Sequence, residues 1–220
     1  MSIPKTIYQT FKSDKLPLIT RWYISRFRKR NQDYTYEFYN DERIESFLST
    51  AYGDETLKLY QRLNIGAAKA DFFRYAILLK KGGVYLDIDS SINGSLQDFI
   101  LPNDVAIISD EGNSGLCVQW ALVFEANHPF LQKTMELMAD NIRNNRFPHN
   151  VHAMTGPTVY SEAIKLCLIE NPDIPYRKLG VDYNKHFKFK YPLSKLLYQS
   201  GTHWKKQQLT QPVLKNGSIA

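Results

Sequence analysis

The sequence predicts an α/β fold, a mixed sheet flanked by helices, and three observations predict it. Strand-patterned and helix-patterned segments alternate from the first residues; a long amphipathic helix runs through a Gly-Gly pair straight into an apolar strand; and later apolar runs of strand length are followed by two further helices.

"KTIYQTF" (Lys5 to Phe11) is β-branched and aromatic and reads as the opening strand. Leu18 to Arg30 has helical periodicity, and "YTYEFY" (Tyr34 to Tyr39) is a second strand by its alternating aromatics. "NDERIESFLSTAYG" carries a start signal in Asn40 with acids in the first turn, and a stop at Gly53. Asn64 to Lys81, "NIGAAKADFFRYAILLKK", is a long helix for which Gly82 is the natural residue past the end. "GVYLDID" follows as a strand, then "DVAIIS" (Asp104 to Ser109) and "LCVQWALVFEA" (Leu116 to Ala126), the last long enough to be broken. "HPFLQKTMELMADNIRNN" and "TVYSEAIKLCLIEN" are helices, the second with Pro157 at a position where proline is tolerated.

The chain has 220 residues, 43% of them hydrophobic, enough to build a core, and we expect one domain over residues 1–220. Residues 205–220 are expected to be a loose tail or to fold over a site. No run of about 18 apolar residues occurs, and the amino terminus lacks the apolar centre of a signal peptide. The expectation is a soluble, cytoplasmic protein. Cys117 and Cys167 sit in apolar settings without metal-ligand spacing and are expected to be buried thiols.

The formal net charge of +6 is concentrated in two clusters. One is Arg21, Arg26, Arg28, Lys29 and Arg30; the other runs from "NKHFKFKYPLSK" to "HWKK", with His186 in its basic face. An anionic membrane surface is one partner that such patches fit, which would make the protein peripheral to the cytoplasmic face of a membrane. Aromatic stacking beside cationic grooves would also hold single-stranded nucleic acid, but the aromatics fall at core-like periods and no nucleic-acid motif is present, so none is expected as a partner.

The chemistry concentrates in "YLDIDSS". Asp87 and Asp89 follow the apolar strand, and ligands of α/β sheets bind beyond the carboxyl ends of strands. Residues two apart on a strand share a face, so both carboxylates would reach one site unless the chain turns between them. Such oxygen ligands suit Mg²⁺ or Mn²⁺, whose shells are completed by phosphates. Asp71 and Arg74, three apart on the preceding helix, share a face and interrupt an apolar surface; they form either an exposed ion pair or part of the same site. Asp110 and Glu111 are further acids near a strand end, and His149 and His152 lie in a loop.

The spacing of Asp71, Arg74, Gly82, Gly83, Asp87 and Asp89 in "AAKADFFRYAILLKKGGVYLDIDS" resembles the DXD-containing glycosyltransferases of family 32, a family that includes yeast-type initiating mannosyltransferases, capsular and lipopolysaccharide sugar transferases and, distantly, clostridial glucosylating toxins. "IPKTIYQTF", "NHPFL" and "TGP" (Thr155 to Pro157) add weaker matches in the same order. Family members often end with a His several residues ahead of Ser-Trp, whereas here His203 directly precedes Trp204.

The resemblance implies a GT-A type fold and a metal-dependent retaining transfer of a hexose from a UDP- or GDP-sugar to a glycan or glycolipid acceptor, in surface polysaccharide or lipopolysaccharide synthesis. By position it implies that Asp87 and Asp89 bridge Mn²⁺ or Mg²⁺ and the diphosphate, with His203 as a third metal ligand. Asp71 and Arg74 would contact the donor sugar. Tyr8 or Phe11 would stack on the base, Gln9 and Thr10 would offer polar edges, and the tail with His203 and Trp204 would close over the diphosphate. A rival resemblance, from "VYLDIDSSI" alone, is to the haloacid dehalogenase phosphatases, in which Asp87 would be a nucleophile and Asp89 an acid or base. The later acidic pair of those enzymes is missing, and the motif comes after more than eighty residues of strands and helices. A non-catalytic basic binding module is the third reading.

Overall fold

The computed structural model describes residues 2–112, 114–198 and 204–215. In chain order the elements are β1 (Thr6–Thr10), α1 (Leu18–Arg30), β2 (Thr35–Tyr39), α2 (Asp41–Tyr52), α3 (Asp54–Gln61), α4 (Gly66–Lys81), β3 (Gly83–Leu86), β4 (Ser91–Ile92), α5 (Leu96–Phe99), β5 (Ala106–Ser109) and β6 (Ala121–Phe124). There follow α6 (Pro129–Arg143), α7 (Val151–Met154), α8 (Pro157–Glu170), β7 (Arg177–Leu179), the turn α9 (Val181–Asn184), β8 (Phe187–Lys188), the 3₁₀ turn η1 (Ser194–Leu197) and α10 (Trp204–Thr210).

The main sheet has the order β2-β1-β3-β6-β5-β7, and β4 and β8 form a separate antiparallel pair. β1 is parallel to both β2 and β3, and β5 is parallel to β7, while β6 runs antiparallel to β3 and β5. The expected mixed sheet flanked by helices is therefore present. Its period-two side chains divide the interior into two cores. Tyr8, Tyr85, Leu122 and Phe124 face the side packed by α2, α4, α6 and α8; Ile7, Val84, Leu86 and Val123 face the side holding Phe27 of α1, Trp120 and Tyr183. A sheet covered on both faces explains why β3 reads as a continuous apolar run.

Local signals set the boundaries. The Asn40 side chain accepts the Arg43 backbone N–H at 2.9 Å and so caps α2, and Gly53 ends that helix at φ +81°. The Gly82-Gly83 pair has a packing reason as well as a conformational one. A Cβ on Gly82 would stand 2.7 Å from the Ala126 nitrogen, and one on Gly83 would stand 2.7 Å from the Thr6 carbonyl oxygen, so only glycine lets β3 lie this close to the β1 end of the sheet.

The structure departs from expectation at the end of β3 and at His186. β3 stops at Leu86 instead of continuing to Asp89, because the Ser90 N–H bonds back to the Asp87 carbonyl at 2.9 Å and turns the chain. The run from Leu116 to Ala126 is strand only over Ala121–Phe124. His186 is not part of a basic face: its ring stacks on Phe99 at 4.1 Å, and burial lowers its pKa. The described part of the tail is packed. Asn64 N–H donates to Val213 O and Lys215 N–H to Arg62 O, both at 2.8 Å, with Val213 and Leu214 buried. Cys117 and Cys167 are free thiols, half-buried and buried. No helix among the described residues is long and apolar enough to cross a membrane.

Candidate functional site

The site lies beyond the carboxyl ends of β1 and β3, where α4 runs beneath a cavity of about 360 Å³. One helical turn of α4 places Asp71 and Arg74 on the same face, and both are buried, at 3% exposure. The ion pair expected as a surface alternative is therefore an interior one. Burying a charge is tolerated only when partners replace its water, and here they do. The Arg74 guanidinium meets Asp71 Oδ1 at 3.2 Å and Asp87 Oδ1 at 2.8 Å, and donates to the carbonyl oxygens of Gln119 at 2.7 Å and Ala70 at 3.3 Å. It also stands 4.8 Å from the centre of the Tyr85 ring. Burial works against its charge, but Asp87 and Asp71 outweigh that and hold the guanidinium firmly protonated.

Asp71 is held at both oxygens. Oδ1 accepts from Gln119 Nε2 at 3.1 Å and Oδ2 from Thr155 Oγ1 at 2.9 Å. Gln119 in turn accepts from the Tyr75 hydroxyl at 2.8 Å. The Asp71 carboxylate is thus fixed from α4, from the loop before β6 and from the "TGP" segment at once.

Asp87 is fixed by its backbone as well as its side chain. Its N–H donates to the Trp120 carbonyl at 2.8 Å, its carbonyl accepts from Gln9 Nε2 at 3.1 Å, and Oδ1 also accepts from the Tyr85 hydroxyl at 2.9 Å. Among the described residues, every side-chain bond to Asp87 falls on Oδ1, and about a quarter of the side chain (24%) remains open to the cavity. Asp89 lies within the turn that Ser90 N–H closes on the Asp87 carbonyl, its Oδ2 accepting from the Tyr198 hydroxyl at 3.2 Å and its carbonyl from the Tyr191 N–H at 2.9 Å. Burial raises the pKa of both carboxylates, Asp87 to about 7, where it outweighs the opposing pull of Arg74. Asp87 and Asp89 both line the cavity, and two such carboxylates are a fitting donor set for Mg²⁺ or Mn²⁺, which bind through one or two carboxylates and take phosphate oxygens and water for the rest. No cluster of three acids, histidines or cysteines that could hold a metal alone occurs among the described residues, so any cation here would need ligands from elsewhere.

The remaining expected residues divide. Thr10, Phe11 and Trp204 line the cavity. Tyr8 does not: it points into the core against Tyr39, at 2% exposure, because the residue after Ile7 faces the opposite side of β1. Gln9 is fully buried and acts on the site through the Asp87 carbonyl and the Tyr36 hydroxyl, at 3.0 Å, so it offers no free polar edge. His203 lies outside the described residues. Glu111 lines the cavity, its pKa raised by burial and by Asp182, whereas Asp110 points away to Lys178 at 2.9 Å. His152 lines the cavity and packs on Trp204 at 5.1 Å, and burial lowers its pKa; His149 instead bonds the Gln208 carbonyl at 3.1 Å. Sequence reasoning missed Gln119, Tyr198 and Lys190. Gln119 had a signal: it is the one polar side chain inside the apolar run "LCVQWALVF".

Known proteins resemble this chain in sequence and in fold. Residues 20–111 match the model of the glycosyltransferase sugar-binding region containing a DXD motif. The chain is 39% identical over 100 residues to an uncharacterized glycosyltransferase of Acanthamoeba polyphaga mimivirus, covering 44% of this chain and 40% of that protein. It is 32% identical over 164 residues to inositol phosphoceramide mannosyltransferase 3 of Schizosaccharomyces pombe, covering 73% of this chain and 44% of the relative. The chain thus spans less than half the length of these curated relatives. Among solved structures, the PaToxG glycosyltransferase superposes with a TM-score of 0.65 at 20% identity, over 99% of this chain and 82% of that one.

Proposed function

Because this chain belongs to the glycosyltransferases whose sugar-binding region contains a DXD motif and has the GT-A architecture of such domains, we propose that it moves a hexose from a nucleoside-diphosphate sugar to a glycan or glycolipid hydroxyl, with retention of configuration and a divalent cation bound at Asp87 and Asp89. The observation that carries the reading is the buried pair Asp71 and Arg74 joined through the guanidinium to Asp87, which opens to the cavity at the carboxyl end of β3. A surface ion pair would need no such enclosure. The lipid named in the yeast relative's activity supports a glycolipid among the acceptors.

In the reaction the bond between the anomeric carbon and the diphosphate oxygen breaks, and the acceptor oxygen bonds to that carbon. The acceptor proton passes to the departing diphosphate when attack is on the same face. The cation, bound when the donor is bound, would supply positive charge to the diphosphate as it leaves. Arg74 cannot lose its proton and supplies fixed positive charge from below the site without reorganising. Asp71, held at both oxygens, is positioned to accept hydrogen bonds from sugar hydroxyls rather than to move. Phe11 offers a face for the base, and Trp204 and His152 form a wall over the cavity that excludes water from the bond being broken. The phosphatase reading fares worse: β1, β2 and the helices α1 to α4 precede the motif, which in those phosphatases opens the core domain, and the later acidic pair is missing from the sequence.

The test is release of nucleoside diphosphate from a panel of UDP- and GDP-sugars, with Mn²⁺ or EDTA, comparing the parent with Asp89→Asn. Cation-dependent turnover of one donor, lost in the variant, is expected. Hydrolysis of a phosphate ester that depends on Asp87, with no donor turned over, would overturn the proposal.

A further inference from the structure

α1 and the segment around η1 are far apart in sequence but lie side by side. The Tyr23 and Tyr191 rings stack at 4.2 Å, and the Tyr191 hydroxyl donates to Thr20 Oγ1 at 2.8 Å. Four of their outward residues are large and apolar: Leu18 is 80% exposed, Trp22 51%, Leu193 55% and Leu196 59%. Four large apolar side chains on two adjoining elements need a partner that takes them out of water.

The charge around them says what kind. α1 holds Arg21, Arg26, Arg28, Lys29 and Arg30 and no acid, and no Asp or Glu occurs anywhere after Asp182. Among the described residues, none of the cations of α1 or of residues 185–195 lies within 4.0 Å of a carboxylate, although ion pairs are found elsewhere on the surface, such as Arg146 with Asp140 and Lys178 with Asp110. Arg26 instead lies over the Trp22 ring at 5.3 Å, which places cation and aromatic at one level on the surface. Exposed leucines and a tryptophan among cations without a carboxylate partner match the interface of an anionic bilayer, where apolar side chains enter the acyl boundary and Lys and Arg are drawn to the headgroups. The surface also adjoins the site: Phe189, Lys190, Leu197 and Tyr198, from the same segment as Leu193 and Leu196, line the cavity.

We infer that the outer faces of α1 and η1 form a docking surface for anionic lipid, which sets the mouth of the cavity against the bilayer. This deepens the transferase reading and rests on it for one point, that a lipid-linked acceptor would be met there. Lipid binding itself is independent of turnover, so the two can fail separately.

The experiment is co-sedimentation of the whole chain with vesicles of phosphatidylcholine alone or with about a third of phosphatidylglycerol added. Partition into the anionic vesicles is expected, falling at least about tenfold when Trp22→Ser, Leu193→Ser and Leu196→Ser are combined, and falling similarly for Arg26→Glu with Lys29→Glu. These side chains are exposed and outside the cavity lining, so donor turnover on a soluble acceptor is expected to be unchanged in both variants. Absence of partition, equal partition into neutral vesicles, or anionic binding that survives the apolar substitutions would overturn the inference, the last because it would mark a polyanion site that uses charge alone.

Discussion

Replacing Arg74 by Met keeps most of the stem volume and removes the guanidinium. Four groups then lose a counterpart: the carboxylates of Asp71 and Asp87 and the carbonyls of Gln119 and Ala70, at 3.2, 2.8, 2.7 and 3.3 Å from the group removed. Removing one partner of a buried ion pair costs about 3–5 kcal/mol, chiefly through the charge left behind. Against a total stability of about 5–15 kcal/mol this is a large share, and for a chain of this size it lowers the melting temperature by about 10 °C. Urea unfolding without metal or nucleotide measures it directly. Because the loss comes from stranded charge, adding Asp87→Asn to Arg74→Met is expected to recover about 1–2 kcal/mol, a coupling that two independent sites would not show. A loss below about 1 kcal/mol, the range of exposed pairs, would refute the claim that Arg74 is an interior charge.

Burial holds Asp87 at about 7 in the folded chain, against about 4 unfolded, so the native state binds more protons in between and this group's contribution to stability falls as pH rises through that window. Metal-free parent should therefore lose ground to Asp87→Asn between about pH 4 and 7 in thermal melts, with a constant difference above; a trend in the other direction contradicts the assignment. Leu214→Ala, in the buried strand-like end of the chain, should cost about 2–4 kcal/mol, whereas Trp204→Ala should leave unfolding nearly unchanged and weaken nucleotide-sugar binding, as calorimetry would report. Gly83→Ala, at φ +113° and 2.7 Å from the Thr6 carbonyl oxygen, should destabilise by more than about 2 kcal/mol in the same unfolding assay.

The readable elements were those whose signals are local. α1 follows Leu18–Arg30 as its period requires, and α2 starts at the Asn40 cap and stops at Gly53. What could not be read depends on distant partners. The turn after β7 carries Asp182, Tyr183, Asn184 and Lys185 at positive φ, a conformation no local preference would select. It is held because the buried Tyr183 hydroxyl donates to the Ala121 carbonyl at 2.8 Å and its N–H to Ser109 Oγ at 2.8 Å, bonds spanning 62 and 74 residues. β4 and β8, two residues each, exist only through one another.

The same division runs through the site. Asp71 and Arg74 could be paired from spacing alone, because a helix fixes what three residues apart means. The spacing of Asp87 and Asp89 had two outcomes, a shared face on a strand or a turn that separates them, and the residue types of "YLDIDSS" suit both; the turn that forms is closed locally, by Ser90 N–H on the Asp87 carbonyl. That turn is held from about a hundred residues later, where Tyr191 N–H donates to the Asp89 carbonyl and the Tyr198 hydroxyl donates to its carboxylate. The segment that positions Asp89 also carries Leu193 and Leu196 outward. The contacts to Asp89 come from Tyr191 and Tyr198, while Leu193 and Leu196 are exposed and outside the cavity lining, so the orientation of Asp89 belongs as much to those two tyrosines as to the motif in which it is written.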